Sequence, residues 1–159
     1  MGQANLANAQ AQDEYLVSRI GAMIIKKDNA KPLLAAGLYY GYGIDKNIAI
    51  EAETNIGLSG GAFNQGDDVV GNYNLRTIAG YGVYRLALSH QGYIKAKFGL
   101  LFENIIRQLK TTKESTLDYG FSGGLGIGLN FKKRLTIETE ISIIEKTIFH
   151  PSMGIHYIF

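Results

Sequence analysis

Polar and apolar residues alternate along most of the chain, and the run Ile48 to Leu58, I-A-I-E-A-E-T-N-I-G-L, shows the rule plainly. Its even positions, Ile48, Ile50, Ala52, Thr54, Ile56 and Leu58, are apolar or tolerate apolar surroundings, while Glu51, Glu53 and Asn55 fall on odd ones. A repeat of two residues is that of an extended strand with one oily and one wet face. The run exceeds the roughly five or six residues usual in a soluble strand and approaches what a tilted strand needs to cross a bilayer.

The same alternation predicts eight strands: about Glu14 to Ile25, Leu33 to Ile44, Ile48 to Ser59, Tyr73 to Leu86, Tyr93 to Glu103, Leu117 to Phe131, Leu135 to Ile144 and Phe149 to Phe159. Short turns at Asp45-Lys46-Asn47, Ser89-His90-Gln91-Gly92 and Lys132-Lys133-Arg134 alternate with longer or more polar connections at 26–32, 60–72, 104–116 and 145–148. Every strand therefore joins the next as a hairpin, an up-and-down meander. Ile105, Ile106 and Leu109 are expected to carry the central hairpin beyond the wall. Residues 1–13 are polar and alanine-rich without the apolar stretch of a signal sequence, and read as a flexible tail before a barrel domain at 14–159. Ala9 and Ala11 in that tail fit the remnant of a trimmed export signal.

Sorting by parity decides the environment. One face is continuously apolar around the meander; it collects Leu38, Ile50, Phe98, Leu125, Ile137 and Ile155, and on the fourth strand Tyr73, Leu75, Thr77, Ala79, Tyr81 and Val83. The other face carries Arg19, Glu51, Glu53, Arg76, Lys95, Lys97, Glu103, Asp118, Glu138 and Glu140, together with most of the strand glycines. A soluble barrel puts its apolar face inside. Here the apolar set is too bulky for the bore of eight strands, whereas glycines mixed with a few long polar chains fit it. A glycine-rich outer wall in water would also pack against nothing. The pattern predicts a closed eight-stranded antiparallel transmembrane β-barrel, apolar outside and polar and glycine-rich within.

Totals agree with this picture. The 159 residues suit one domain, and a net charge of +2 is too small to imply a nucleic-acid partner. Absence of cysteine removes disulfides, thiolate metal sites and cysteine nucleophiles. No apolar run reaches the roughly eighteen residues of a transmembrane helix, a test that barrels escape. Strands of about eleven residues rising about 3.3 Å each and tilted about 40° give a height near 28 Å, enough for an apolar band of about 25 Å. Aromatics fall toward both ends of the apolar face: Tyr42, Tyr157 and Phe159 on the short-turn side, Tyr73, Phe102, Tyr119, Phe121 and Phe149 on the other.

Hairpins such as Gly41-Tyr42-Gly43-Ile44-Asp45-Lys46-Asn47-Ile48-Ala49-Ile50-Glu51 and the final strand G-I-H-Y-I-F give the chain its family look: from Glu14 to Phe159 it resembles the small outer-membrane barrels of the OmpA, OmpX and opacity-protein group. The resemblance implies a Gram-negative-type outer membrane, short turns and both termini on the periplasmic side, and long loops outside the cell. It also implies that Ile155, Tyr157 and Phe159 form the C-terminal signal read by the barrel-assembly machinery. The expected partners are outer-membrane lipid and lipopolysaccharide, that machinery during insertion, and an extracellular ligand; the barrel is expected to be a monomer.

Glu51 and Glu53, Lys95 and Lys97, and Glu138 and Glu140 each sit a few residues beyond a short turn, so they should face one another in the lower lumen with Arg19 and Arg76 above and Glu103 further along. Unpaired charges there would be costly, which predicts an ion-pair plug. The function expected is structural or surface-interacting, with a narrow diffusion channel as the rival. A lipid A-modifying enzyme is the weaker rival: His150 and Ser152 share a strand face and Glu145 is near in sequence, but by parity both look into the lumen, and no enzyme is expected. His90, His150 and His156 lack metal-ligand spacing, and Gly124, Gly126 and Gly128 lie mid-strand rather than in a phosphate loop, so neither metal nor cofactor is expected. Lys26, Lys27, Lys31, Arg107, Lys110 and Lys113 give the outer loops a basic excess suited to lipopolysaccharide phosphates or host polyanions.

Overall fold

Each connection is short enough that sequence neighbours pair, and pairing them in turn rolls the chain into a ring. The computed structural model describes residues 13–25, 31–65, 68–89, 91–109, 112–144 and 148–159, and they contain strands and turns but no helix. The strands are β1 (Glu14–Ile25), β2 (Leu33–Gly43), β3 (Ile48–Gly57), β4 (Gly61–Gln65), β5 (Asp68–Ser89), β6 (Gly92–Leu109), β7 (Lys113–Lys132), β8 (Leu135–Ile144) and β9 (Ile148–Ile158). Their order is β3-β2-β1-β9-β8-β7-β6-β5, and β3 pairs with β5 to close the wall, with every pairing antiparallel. The short β4 pairs only with the start of β5, so the wall itself has the eight strands expected. Closure leaves no free sheet edge within the wall.

The seam between the first and last strands joins Tyr15 to Ile158, and the Phe159 amide donates to the Glu14 carbonyl at 3.0 Å. Both ends of the barrel thus lie on the short-turn rim. At the other rim the sheet is uneven: β3 meets β5 only from Ile56 opposite Arg76, and β7 meets β8 only from Ser122 opposite Ile144. The β5–β6 and β6–β7 pairings run on to Gly71 opposite Leu109 and Gln108 opposite Lys113, so the central strands protrude beyond the wall as expected from Ile105, Ile106 and Leu109. The tail expected at 1–13 lies outside the described residues except for Asp13, whose carbonyl accepts from the Gly43 amide.

The wall is inside out relative to a soluble barrel. Leu38, Phe98 and Ile137 are 47%, 65% and 42% exposed, while Glu51 and Lys95 are 3% and 0% exposed. One strand departs from the predicted parity. On β5 the residues Tyr73, Leu75, Thr77, Ala79, Tyr81 and Val83 are buried in the lumen, and Ile78, Tyr84, Leu86 and Leu88 face outward. Arg76, expected inside, is therefore on the outer wall and exposed, and Tyr73 is not part of the outer aromatic belt. Both faces of β5 are largely apolar and its two arginines fall on opposite faces, Arg85 buried and Arg76 exposed, so neither hydropathy nor charge marks its inner face in the sequence.

The lumen is filled in two layers. The matched cations and carboxylates occupy the half toward the short turns, with buried Asn55, Glu103 and His150 further toward the loops. Toward the loops Met23, Leu33, Leu75, Leu101, Ile144 and Ile148 pack together, each at 2% exposure or less.

Candidate functional site

Every second residue of each wall strand points into a bore only eight strands wide, so long polar side chains from facing strands meet there. Lys95 of β6 is the hub. Its ammonium lies 3.2 Å from both carboxylate oxygens of Glu51, 2.9 Å from Glu138 Oε1 and 3.0 Å from Glu140 Oε2. Lys97, two residues on and hence on the same face, pairs with Glu53 at 2.5 Å and with Glu140 at 2.6 Å. Arg19 of β1 pairs with Glu138 and reaches Glu140 with both terminal nitrogens, at 2.7 and 3.0 Å. Arg85 of β5 completes the set, 3.0 Å from Glu51 Oε1.

Four cations thus face four carboxylates, with side-chain exposures between 0% and 6%. Charges so desolvated persist only when each is matched and hydrogen-bonded. Tyrosines supply much of the remaining bonding. Tyr15 donates to Glu51 at 2.8 Å and Tyr93 to Glu138 at 2.6 Å, while Arg19 donates to the Tyr39 hydroxyl at 2.6 Å. The rings contribute as well: the Arg19 guanidinium lies 4.0 Å from the Tyr39 centroid, that of Arg85 4.2 Å from Tyr15, and the Lys97 ammonium 4.1 Å from Tyr81. Ser142 donates to Glu140 and Asn55 to Glu53, at 2.7 and 2.5 Å.

Glycine makes room for these rings. Tyr15 is registered opposite Gly41 and Tyr93 opposite Gly128, and a Cβ added at either glycine would lie 2.0 or 2.2 Å from the tyrosine Cζ. The absent side chain is what lets each ring lie flat across the neighbouring strand and carry its hydroxyl to the network.

The expected interior residues Arg19, Glu51, Glu53, Lys95, Lys97, Glu138 and Glu140 come together in this cluster. Glu103 is buried on the inner wall, level with Thr77 and toward the loops. Arg76 stands outside, opposite Ile56, and takes no part. Arg85 and the tyrosines were missed; a tyrosine set directly across from a glycine in adjacent hairpin strands is the sequence signal that reveals Tyr15, Tyr81 and Tyr93, whereas Tyr39 stands opposite Val17 and Glu53.

His150 and Ser152 face the lumen as parity indicated, at 2% and 9% exposure, while Glu145 and His90 lie outside the described residues. His156 is sealed in, its ring centroid 4.5 Å from that of Tyr15 and its Nδ1 3.2 Å from the Tyr93 hydroxyl. Among the described residues no cluster of histidines and acids could hold a metal ion. Ile155, Tyr157 and Phe159 face outward at 52%, 42% and 60% exposure. Of the basic loop residues, Lys31 and Lys113 are exposed and Arg107 is half-buried; Lys26, Lys27 and Lys110 lie outside the described residues.

Comparison with known proteins gives the same architecture. The family model described as outer membrane protein beta-barrel domain matches residues 2–153. No curated protein matches the chain by sequence. Among solved structures, the outer membrane protein OprG of Pseudomonas aeruginosa is similar with a TM-score of 0.73 at 9% identity, covering 96% of this chain and 98% of that one. The N-terminal β-barrel domain of OprF from the same species gives 0.66 at 16% identity, covering 94% and 100%. The attachment invasion locus protein Ail of Yersinia pestis, in complex with the heparin analogue sucrose octasulfate, gives 0.61 at 13%, covering 93% and 97%.

Proposed function

The chain belongs to the outer membrane protein beta-barrel domain family, and from that premise we propose that it is a sealed barrel with a structural and surface-interaction role in a Gram-negative outer membrane. One observation carries this reading: the lumen holds as many cations as carboxylates in its charged layer, matched to one another at near-zero exposure, beneath a layer of tightly packed apolar side chains. An ion crossing it would have to displace both layers. The reading includes neither a conducting pore nor catalysis.

In this reading the short turns and both chain ends face the periplasm and the protruding β5–β6–β7 strands face outward from the cell. Ile155, Tyr157 and Phe159 serve as the assembly signal, supported by their outward placement on the last strand. Basic loop residues, Lys31 and Lys113 among them, attract polyanions; the Ail structure with a heparin analogue is the supporting parallel on a similar fold. Planar-bilayer recording tests the seal. No steady unitary current is expected from the refolded protein; steady currents that vanish in Lys95→Gln/Lys97→Gln would sink it in favour of a narrow channel.

A further inference from the structure

Among the described residues, three of the four exposed cations of the short-turn rim sit together, and the fourth, Lys46, is on the opposite turn. The β7–β8 turn and the residue before it read Lys132-Lys133-Arg134, all exposed, and none of the three enters an ion pair among the described residues. Of the acidic residues of the same rim, Asp45 belongs to the β2–β3 turn across the ring, while Asp13 and Glu14 open β1, on the far side of β9 from the β7–β8 turn.

A bulge gives this corner its shape. Asn130 pairs with Thr136 but Lys132 pairs with Leu135, so Phe131 is the extra residue. A bulge re-aims side chains, and here the consecutive Phe131 and Lys132 are both exposed, the ammonium 6.0 Å from the ring centroid. Leu135 is also registered with Tyr157, whose ring meets that of Phe159 edge-on at 5.5 Å. Phe131, Tyr157 and Phe159, at 68%, 42% and 60% exposure, thus lie beside three unmatched cations. Aromatic rings of a barrel settle at headgroup level, and basic side chains just beyond them meet the phosphates.

We propose that this corner is a binding site for an anionic phospholipid, with the phosphate among Lys132, Lys133 and Arg134 and the glycerol and upper acyl chains against Phe131, Tyr157 and Phe159. The inference rests on the reading of the chain as a bilayer-embedded barrel, not on which leaflet the rim adjoins.

The test uses the whole chain in phosphatidylcholine vesicles carrying a trace of spin-labelled phosphatidylglycerol or spin-labelled phosphatidylcholine. The fraction of label immobilised by protein is read by electron spin resonance. Phosphatidylglycerol is expected to be preferred roughly fivefold at low salt, with the preference falling to parity in K132Q/K133Q/R134Q and in about 1 M salt. It should persist in Lys46→Gln, which removes a cation from the opposite turn, and in excess inorganic phosphate, which lacks acyl chains. Equal uptake of the two labels, a preference kept by the triple variant, or loss to inorganic phosphate each overturns the proposal. Stronger uptake of spin-labelled lipid A than of phosphatidylglycerol overturns the assigned occupant. Heat-modifiable gel migration of the same sample separates the two failures: without the folded band the barrel reading falls and this one with it, whereas a folded band without lipid preference ends this one alone.

Discussion

Lys95 and Glu138 meet at 2.9 Å in the middle of the barrel, and neither side chain reaches solvent. The ammonium also touches Glu51 and Glu140, so one cation holds three carboxylates. Replacing it by Lys95→Met leaves those carboxylates short of charge in a place water enters poorly. The barrel should lose about 3–5 kcal/mol, seen as a lower urea midpoint. The chain has no tryptophan, so the midpoint is best read from the folded and unfolded bands of an unheated gel.

Gly128 and Gly80 should respond unequally to the same substitution. A Cβ at Gly128 falls on the Tyr93 ring, so in Gly128→Ala the ring must move and its hydroxyl leaves Glu138. A cost of about 1–3 kcal/mol follows. Gly80 faces outward with nothing within 4 Å of an added Cβ, and Gly80→Ala should stay within about 0.5 kcal/mol of the parent. Equal losses at the two sites in urea titrations would contradict this packing.

The two arginines of β5 offer a direct test of which of its faces looks inward. Arg85→Gln removes a partner of buried Glu51 and should cost about 3 kcal/mol. Arg76→Gln, on the exposed outer face, should change stability by no more than about 0.5 kcal/mol. The same gel assay ranks them, and the reverse order would require β5 to be turned over.

Asp45 anchors the first short turn, accepting from the Asn47 and Ile48 amides at 2.6 and 2.8 Å. Those bonds favour the carboxylate and hold its pKa below the usual 3.8. A folded-state pKa below the unfolded one means the turn is stabilised above the unfolded value, and that this is lost as pH falls through the folded one. Carboxyl-detected NMR should find Asp45 titrating below 3.8, and Asp45→Asn should abolish the pH dependence of the Asn47 and Ile48 amide shifts.

Much of this was legible because a bilayer enforces alternation on each strand. The run Ile48 to Gly57 alternates in the structure as it does on paper, and Glu51, Glu53, Lys95, Lys97, Glu138 and Glu140 fall inside. Tyr81 and Val83 read as outward because glycines suit a narrow lumen, yet Gly80 and Gly82 are the residues that face outward. Charge did not arbitrate, since Arg76 and Arg85 sit on opposite faces of one strand. The apolar upper layer went unseen for a related reason: alternation lapses there into doublets such as Leu100-Leu101 and Ile143-Ile144, which are apolar on both faces. What a loop recognises is not written in periodicity, because loop chemistry is free of the two-residue rule.

The seam where the Phe159 amide reaches the Glu14 carbonyl sets the order of events in biogenesis. Wall neighbours are also neighbours in translation everywhere except at the junctions of β1 with β9 and β3 with β5. The last of the strands to leave the ribosome is therefore one that the first must wait for, and every shorter nascent chain is an open ribbon with two sticky borders. Keeping such a ribbon from pairing with others until β9 has been made becomes an obligation on the cell.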